Sequence, residues 1–114
     1  MSNEETVAAL KALAHETRWR MVELLLAHSL CVGALARTLG VTEAAASQHL
    51  QILRRAGLVR GEKRGYWTHY LVQTQELERL GSELARLPER TDGLMDLNEQ
   101  MCPDTEENSQ KGGR

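Results

Sequence analysis

A chain of 114 residues with 41% hydrophobic content has room for one domain and one core, and no apolar run approaches the roughly 18 residues of a membrane span. Phe is absent and aromatic residues make up 4%, so Leu, Ala and Val must build that core. The net charge of −2 speaks against nucleic-acid binding only until it is divided along the chain: from Ala36 to Tyr70 six Lys/Arg face two Glu, a balance of +4, whereas from Glu76 to Glu107 three Arg face ten acids, a balance of −7. Phosphate affinity depends on where the cations lie and not on their total, so the middle of the chain suits DNA and its end does not. The N-terminus lacks a basic-then-apolar export signal, and the two cysteines are too few for a disulfide framework. Both features predict a cytoplasmic protein with reduced thiols and no membrane partner.

In chain order, Ser2 is placed to cap a first helix, with Glu4 and Glu5 in its opening turn and Val7, Leu10 and Leu13 along its apolar face. After a brief break at Leu13–Arg18, a second helix runs from Glu16 to Ala27, with Trp19, Val22, Leu25 and Leu26 expected inward. Ser29 to Val32 is short enough for a single β-bridge. Gly33 to Leu39 reads as a third helix, stopped by Gly40. The next helix opens at Thr42, whose hydroxyl can accept from free N–H groups of the first turn, with Glu43 placed favourably for the helix dipole. Its apolar stripe is Ala46, Leu50 and Leu53. Arg54 and Arg55 occupy its last turn, and Gly57 is placed for a left-handed cap. The opposite face shows Ser47, Gln48, His49 and Gln51, hydrogen-bonding groups with no carboxylate among them, as a helix in the major groove requires. Two helices joined by a tight Gly-containing turn, the second with this outward face, predict a helix-turn-helix.

Past Gly57 the period falls to about 2. Leu58–Glu62 and Tyr66–Val72 read as strands, with Lys63-Arg64-Gly65 as the hairpin tip. Such a wing would hold Lys63 and Arg64 over the flanking phosphates or the minor groove. Thr74 caps a last helix in which Leu77, Leu80, Leu84 and Leu87 form a heptad-like seam, ended by Pro88. So small a domain leaves little inside for that seam to cover. A two-fold partner is the expected cover, with Leu10 of the first helix contributing. The fold class is therefore mainly α with a small β-hairpin, a dimeric winged helix-turn-helix over residues 1–88. Residues 89–114 read as an acidic, largely flexible tail, in which Leu94, Met95, Leu97 and Met101 suggest a further short helix.

Four stretches, Leu13-Ala14-His15-Glu16-Thr17-Arg18, Ser29 to Ala36, Ser47-Gln48-His49-Leu50 and Ala56-Gly57-Leu58-Val59, resemble the ArsR/SmtB family of winged-helix repressors, in unbroken order over roughly residues 7 to 87. The resemblance implies a homodimer that leaves its double-stranded operator when an inducer, often a metal or metalloid ion, binds. It carries DNA contacts onto Thr42, Ser47, Gln48 and His49 of the recognition helix and Lys63 and Arg64 of the wing. Ala44 and Ala45 stand where relatives often have hydroxyl residues, which shifts base reading towards Gln48, a natural adenine partner. Arsenic-sensing members often show Leu-Cys-Val-Cys, and here Leu30-Cys31-Val32-Gly33 keeps one thiol of the two. The last helix holds no His and cannot supply imidazoles for the family's other common metal site. Cys31 and Cys102 remain as sensing candidates for a soft metal or metalloid ion, or for thiol oxidation, with His28 or a water as a third ligand. No cofactor is otherwise implied. His69, in an aromatic strand, reads as packing.

Two other readings stand beside this one. An ArsR-like repressor answering a non-metal signal shares every feature above except the role of the cysteines. A winged helix used only for protein contacts would need a recognition face without cations, whereas this chain has Arg54, Arg55, Lys63 and Arg64. An enzyme is not expected, because no Gly-rich phosphate loop or H-E-x-x-H motif is present.

Overall fold

A computed structural model describes residues 1–90. Along them run α1 (Asn3–Leu13), α2 (Glu16–Ala27), α3 (Val32–Leu39), α4 (Glu43–Arg55), β1 (Val59–Arg64), β2 (Trp67–Val72) and α5 (Thr74–Arg86), followed by a 3-10 turn at Leu87–Glu89. Local chemistry sets most of these boundaries. Ser2 Oγ accepts from Glu5 N–H at 3.1 Å while the Glu5 carboxylate accepts from Ser2 N–H at 2.9 Å, a reciprocal capping box. Thr42 Oγ1 accepts from Ala45 N–H at 3.1 Å and starts α4. Gly40, at φ 72°, ends α3 in the left-handed conformation and lets the chain turn into α4 within three residues.

Among the described residues the core is made of Leu, Ala and Val as composition requires, with Met21 the one addition. Ala46, Leu50 and Leu53 seat α4 on α1, α2 and α3. The chain divides into two compact units, Met1–Glu83 and from Leu84 onward. Of the second, the described residues are the end of α5 and the 3-10 turn. The expected helix at Leu94–Met101 and the tail from Pro103 lie outside the described residues, as does Cys102. Among those described, no helix is long and apolar enough to cross a membrane.

Three expectations about the interior are corrected. Trp19 and Leu26 do not point inward but are 55% and 51% exposed. The buried row of α2 is Met21, Val22 and Leu25, and Trp19 and Leu26, seven apart, share the adjoining face. Val7 on α1 is exposed as well. Leu80 belongs to the subunit's own core at 4% exposure, with Leu10 and Leu77 half-buried against that core, while Leu84 and Leu87 are exposed. The leucine row is thus divided between the interior and the surface.

β1 and β2 pair antiparallel from Val59↔Val72 to Arg64↔Trp67. The tip is therefore Gly65–Tyr66, not Lys63-Arg64-Gly65. Gly65 takes φ 66° and Tyr66 does not, the sign pattern of a type II′ hairpin turn. Lys63 and Arg64 lie inside β1. A bridge joins Leu30 to Tyr70 through hydrogen bonds of 2.7 and 3.2 Å, as the shortness of that segment suggested. The base of the wing is tied down by Gln73 Nε2 donating to Gly57 O at 2.9 Å.

Candidate nucleic-acid interface

Burial of Ala46, Leu50 and Leu53 turns the other side of α4 to solvent. Ser47, Gln48 and Gln51 are exposed there, with no side-chain hydrogen bond among the described residues. Side chains with unspent donors and acceptors on a rigid helix are what base reading needs. Together with Arg54 of the same helix and Tyr70 of β2, they line an open groove of about 410 Å³ between helix and wing. Arg54 and Tyr70 thus join a surface that periodicity alone assigned to Ser47, Gln48, His49 and Gln51. Thr42 is exposed at the N-cap of the same helix, outside the groove lining, its hydroxyl oxygen occupied by the cap and its proton still available as a donor.

His49 stands apart from this group. It is half-buried and lies against the α1–α2 corner, Nδ1 3.2 Å from Arg18 Nη1 and its ring 4.7 Å from that of His15. Burial first, then the nearby His15 and Arg18, push its pKa below the usual imidazole range. Its expected place on the outward face is not what the geometry provides, because the ring is already engaged by its own chain.

The wing's cations are similarly divided. Lys63 is exposed with no side-chain partner among the described residues. Arg64 donates to Ser29 Oγ at 3.0 Å and to Glu62 at 3.0 Å. Arg60 donates to the other oxygen of the same carboxylate at 3.1 Å. The three alternate residues Arg60, Glu62 and Arg64 thus form a row on β1, and hydrogen bonds from Arg64 and then Arg60 lower the Glu62 pKa. Such exposed pairs add little stability, but Glu62 offsets part of the positive charge the strand would otherwise show. The tip carries two exposed aromatic residues that strand patterning did not single out: Tyr66 is 98% exposed and Trp67 65%. Their signal in the sequence was the turn glycine itself, which places the residues after it at the end of a rigid hairpin.

Cys31 is half-buried at the N-cap of α3, where its side chain makes no cap bond. His28 is exposed at the C-cap of α2, and His69 on β2 has its Nδ1 buried without a partner among the described residues. No group of three or more metal-ligating side chains exists among the described residues. The described part of one subunit therefore does not by itself assemble the closed ligand set that a metal sensor of this kind uses.

A helix-turn-helix whose second helix shows unspent polar groups, followed by a two-stranded wing, defines the winged helix-turn-helix class of DNA-binding proteins. The family described as bacterial regulatory protein, arsR family, matches residues 15–60. Transcriptional activator HlyU of Vibrio cholerae is 36% identical over 86 residues, spanning 75% of this chain and 80% of that one. Among solved structures, an ArsR-like transcriptional regulator from Rhodococcus sp. RHA1 superposes with a TM-score of 0.73 at 28% identity, over 87% of this chain and 93% of that one. The homodimeric winged helix-turn-helix DNA-binding domain of Mb0332 from Mycobacterium bovis gives a TM-score of 0.64 at 25% identity, over 78% and 88%. The chain belongs to the ArsR family of bacterial transcriptional regulators, DNA-binding proteins and not enzymes.

Proposed function

We propose that this chain is a cytoplasmic homodimeric repressor that binds a specific double-stranded operator, places α4 in the major groove and lays the wing along the flanking backbone. The observation that carries the reading is the row Ser47, Gln48 and Gln51, exposed on a helix buried along its other side and bounded by Arg54. In this reading Gln48 reads a base, Thr42 and Ser47 contact the backbone beside it, and Lys63 and Tyr66 extend the contact at the wing. His49 and Arg64, engaged within the chain, act on this surface indirectly. Two recognition helices of a dimer reach half-sites about 34–36 Å apart. Exposed Leu84 and Leu87 and the homodimeric relative support the two-fold assembly.

For the signal, we propose that a soft metal or metalloid ion, or oxidation of the thiols, acts at Cys31 and Cys102 and releases the operator. Cys31 is the residue before α3 and directly follows Leu30, which is bridged to Tyr70 of the wing. A change at this thiol therefore bears on both halves of the DNA-binding surface. The test has two arms. Duplexes selected from a randomised pool should share a two-fold symmetric site, bound with an affinity that falls steeply as salt rises. Cys31→Ser and Cys102→Ser should each blunt release by arsenite, cadmium or a persulfide donor. Failure to select any duplex would leave the protein-interaction reading, and release unchanged in both variants would assign the signal elsewhere.

A further inference from the structure

Arg18 ties three elements together. Its Nε donates to Ala12 O at 2.6 Å, a carbonyl left free at the end of α1, and its Nη2 to Lys11 O at 3.4 Å, which also accepts from Ala14 N–H. Its Nη1 lies 3.2 Å from Nδ1 of His49 on α4. A guanidinium can only donate, so His49 Nδ1 carries the lone pair and the ring proton sits on Nε2. His15 packs on the same ring with centroids 4.7 Å apart, and its own Nδ1 accepts from Thr17 N–H at 3.1 Å, capping α2. Each imidazole therefore presents an acceptor nitrogen to a donor that cannot reverse its role. His49 stands between the buried row Ala46, Leu50 and Leu53 and the outward row Ser47, Gln48 and Gln51. The ring thus ties the edge of the outward row, next to Gln48, to the α1–α2 corner.

We propose that His49 is a positioning residue: Arg18 and His15 hold its neutral ring against the α1–α2 corner, this contact sets the recognition helix, and protonation of the ring loosens it so that DNA affinity falls on acidification. A proton on Nδ1 would set N–H against N–H and positive charge against the Arg18 guanidinium. From the α1–α2 corner the titratable and charged groups acting on the ring are His15, the N-cap of α2, and Arg18. The elements α3 and β1 also pack on α4, and neither Arg37 on α3 nor Arg60, Glu62, Lys63 and Arg64 on β1 is among the groups that shift it. Burial, then His15 and Arg18, favour the uncharged form in the docked state. The released ring thus binds a proton more tightly than the docked one. Docking is complete above the ordinary imidazole value of about 6.5 and is lost as pH falls below it through the lowered docked value.

The inference rests on the DNA-binding reading, and the test keeps the two apart. The probe is the tightest duplex selected from a randomised pool at pH 7.5, titrated with the full chain from pH 7.5 to 5.5 at constant ionic strength. Wild-type affinity should fall about tenfold, the effect of losing one hydrogen bond to a charged group. His49→Asn puts an amide oxygen where Nδ1 stood and cannot be protonated. It should bind within about twofold of wild type at pH 7.5 and stay nearly flat to pH 5.5, whereas His49→Ala should be about tenfold weaker throughout. Wild-type affinity that rises on acidification would make His49 a phosphate contact and overturn the inference. So would an Asn variant that keeps the wild-type profile, or an Ala variant that binds normally. If no duplex is selected, the DNA-binding reading fails, and the contact is read without DNA. Nitrogen NMR of the ring should then show an unprotonated Nδ1 at pH 7.5, and acidification should lower the melting temperature of wild type more than that of His49→Asn. A protonated Nδ1, or equal melting shifts, overturns it.

Discussion

Gln48 and Lys63 both reach solvent without a side-chain partner among the described residues, yet their removal has different consequences. Gln48→Ala should relax base preference at one position per half-site, since a good bidentate contact is worth about 1–3 kcal/mol. Selection with the variant should show that position degenerate. Lys63→Ala should weaken binding to all sequences alike and reduce the salt slope by about one ion, as for any single phosphate contact. Arg64→Ala is different again, because this guanidinium holds Ser29 and Glu62. Its loss should leave one Glu62 oxygen without a guanidinium, the other still held by Arg60, as well as remove a cation. Affinity should fall more than for Lys63→Ala, and anisotropy titrations at several salt concentrations would measure both.

At the scale of elements, the recognition helix and the wing depend on different local devices. Thr42→Ala removes the cap of α4 and should cost about 1 kcal/mol, with Thr42→Ser restoring it. Thermal melts of the two variants make the comparison. In the wing, a Cβ added at Gly61 would meet Thr68 Cγ2 at 2.9 Å and Tyr70 Cε1 at 3.2 Å. Gly61→Ala should therefore displace the strand and lower stability by about 1–3 kcal/mol. Tyr66, 98% exposed, has no packing to lose. Tyr66→Ala should leave the melting temperature unchanged and weaken binding to every duplex tested, which separates a wing that touches DNA from one that merely folds.

At the scale of the whole molecule, the leucine row of α5 serves two purposes. Leu80, 4% exposed, fills the subunit's own core, and a carboxylate there should unfold the chain. Leu84 and Leu87, 46% and 59% exposed, leave apolar surface that the proposed partner would cover. Leu84→Asp with Leu87→Asp should therefore give folded monomers with much weaker operator binding. Sedimentation velocity and far-UV circular dichroism together would show it, and an intact dimer would place the interface on another face.

Features whose partners lie within a few residues were legible in the sequence. The Ser2 and Thr42 caps, the α3–α4 turn at Gly40 and the apolar stripe of α4 all follow from hydrogen bonds or spacings of three to five residues. The exposed row Ser47, Gln48 and Gln51 follows from that stripe, so part of the candidate interface was legible too. What the sequence could not determine depends on partners far along the chain. Arg18 meets His49 across 31 residues and Arg64 meets Ser29 across 35, and no periodicity encodes either contact. On α2, apolar residues surround the helix, so only packing chooses Met21, Val22 and Leu25 over Trp19 and Leu26. The seam of α5 fails for the same reason. Its spacing determines that Leu80 and Leu84 share a face, while the tertiary structure alone decides that the core ends between them, because burial depends on what else reaches that face.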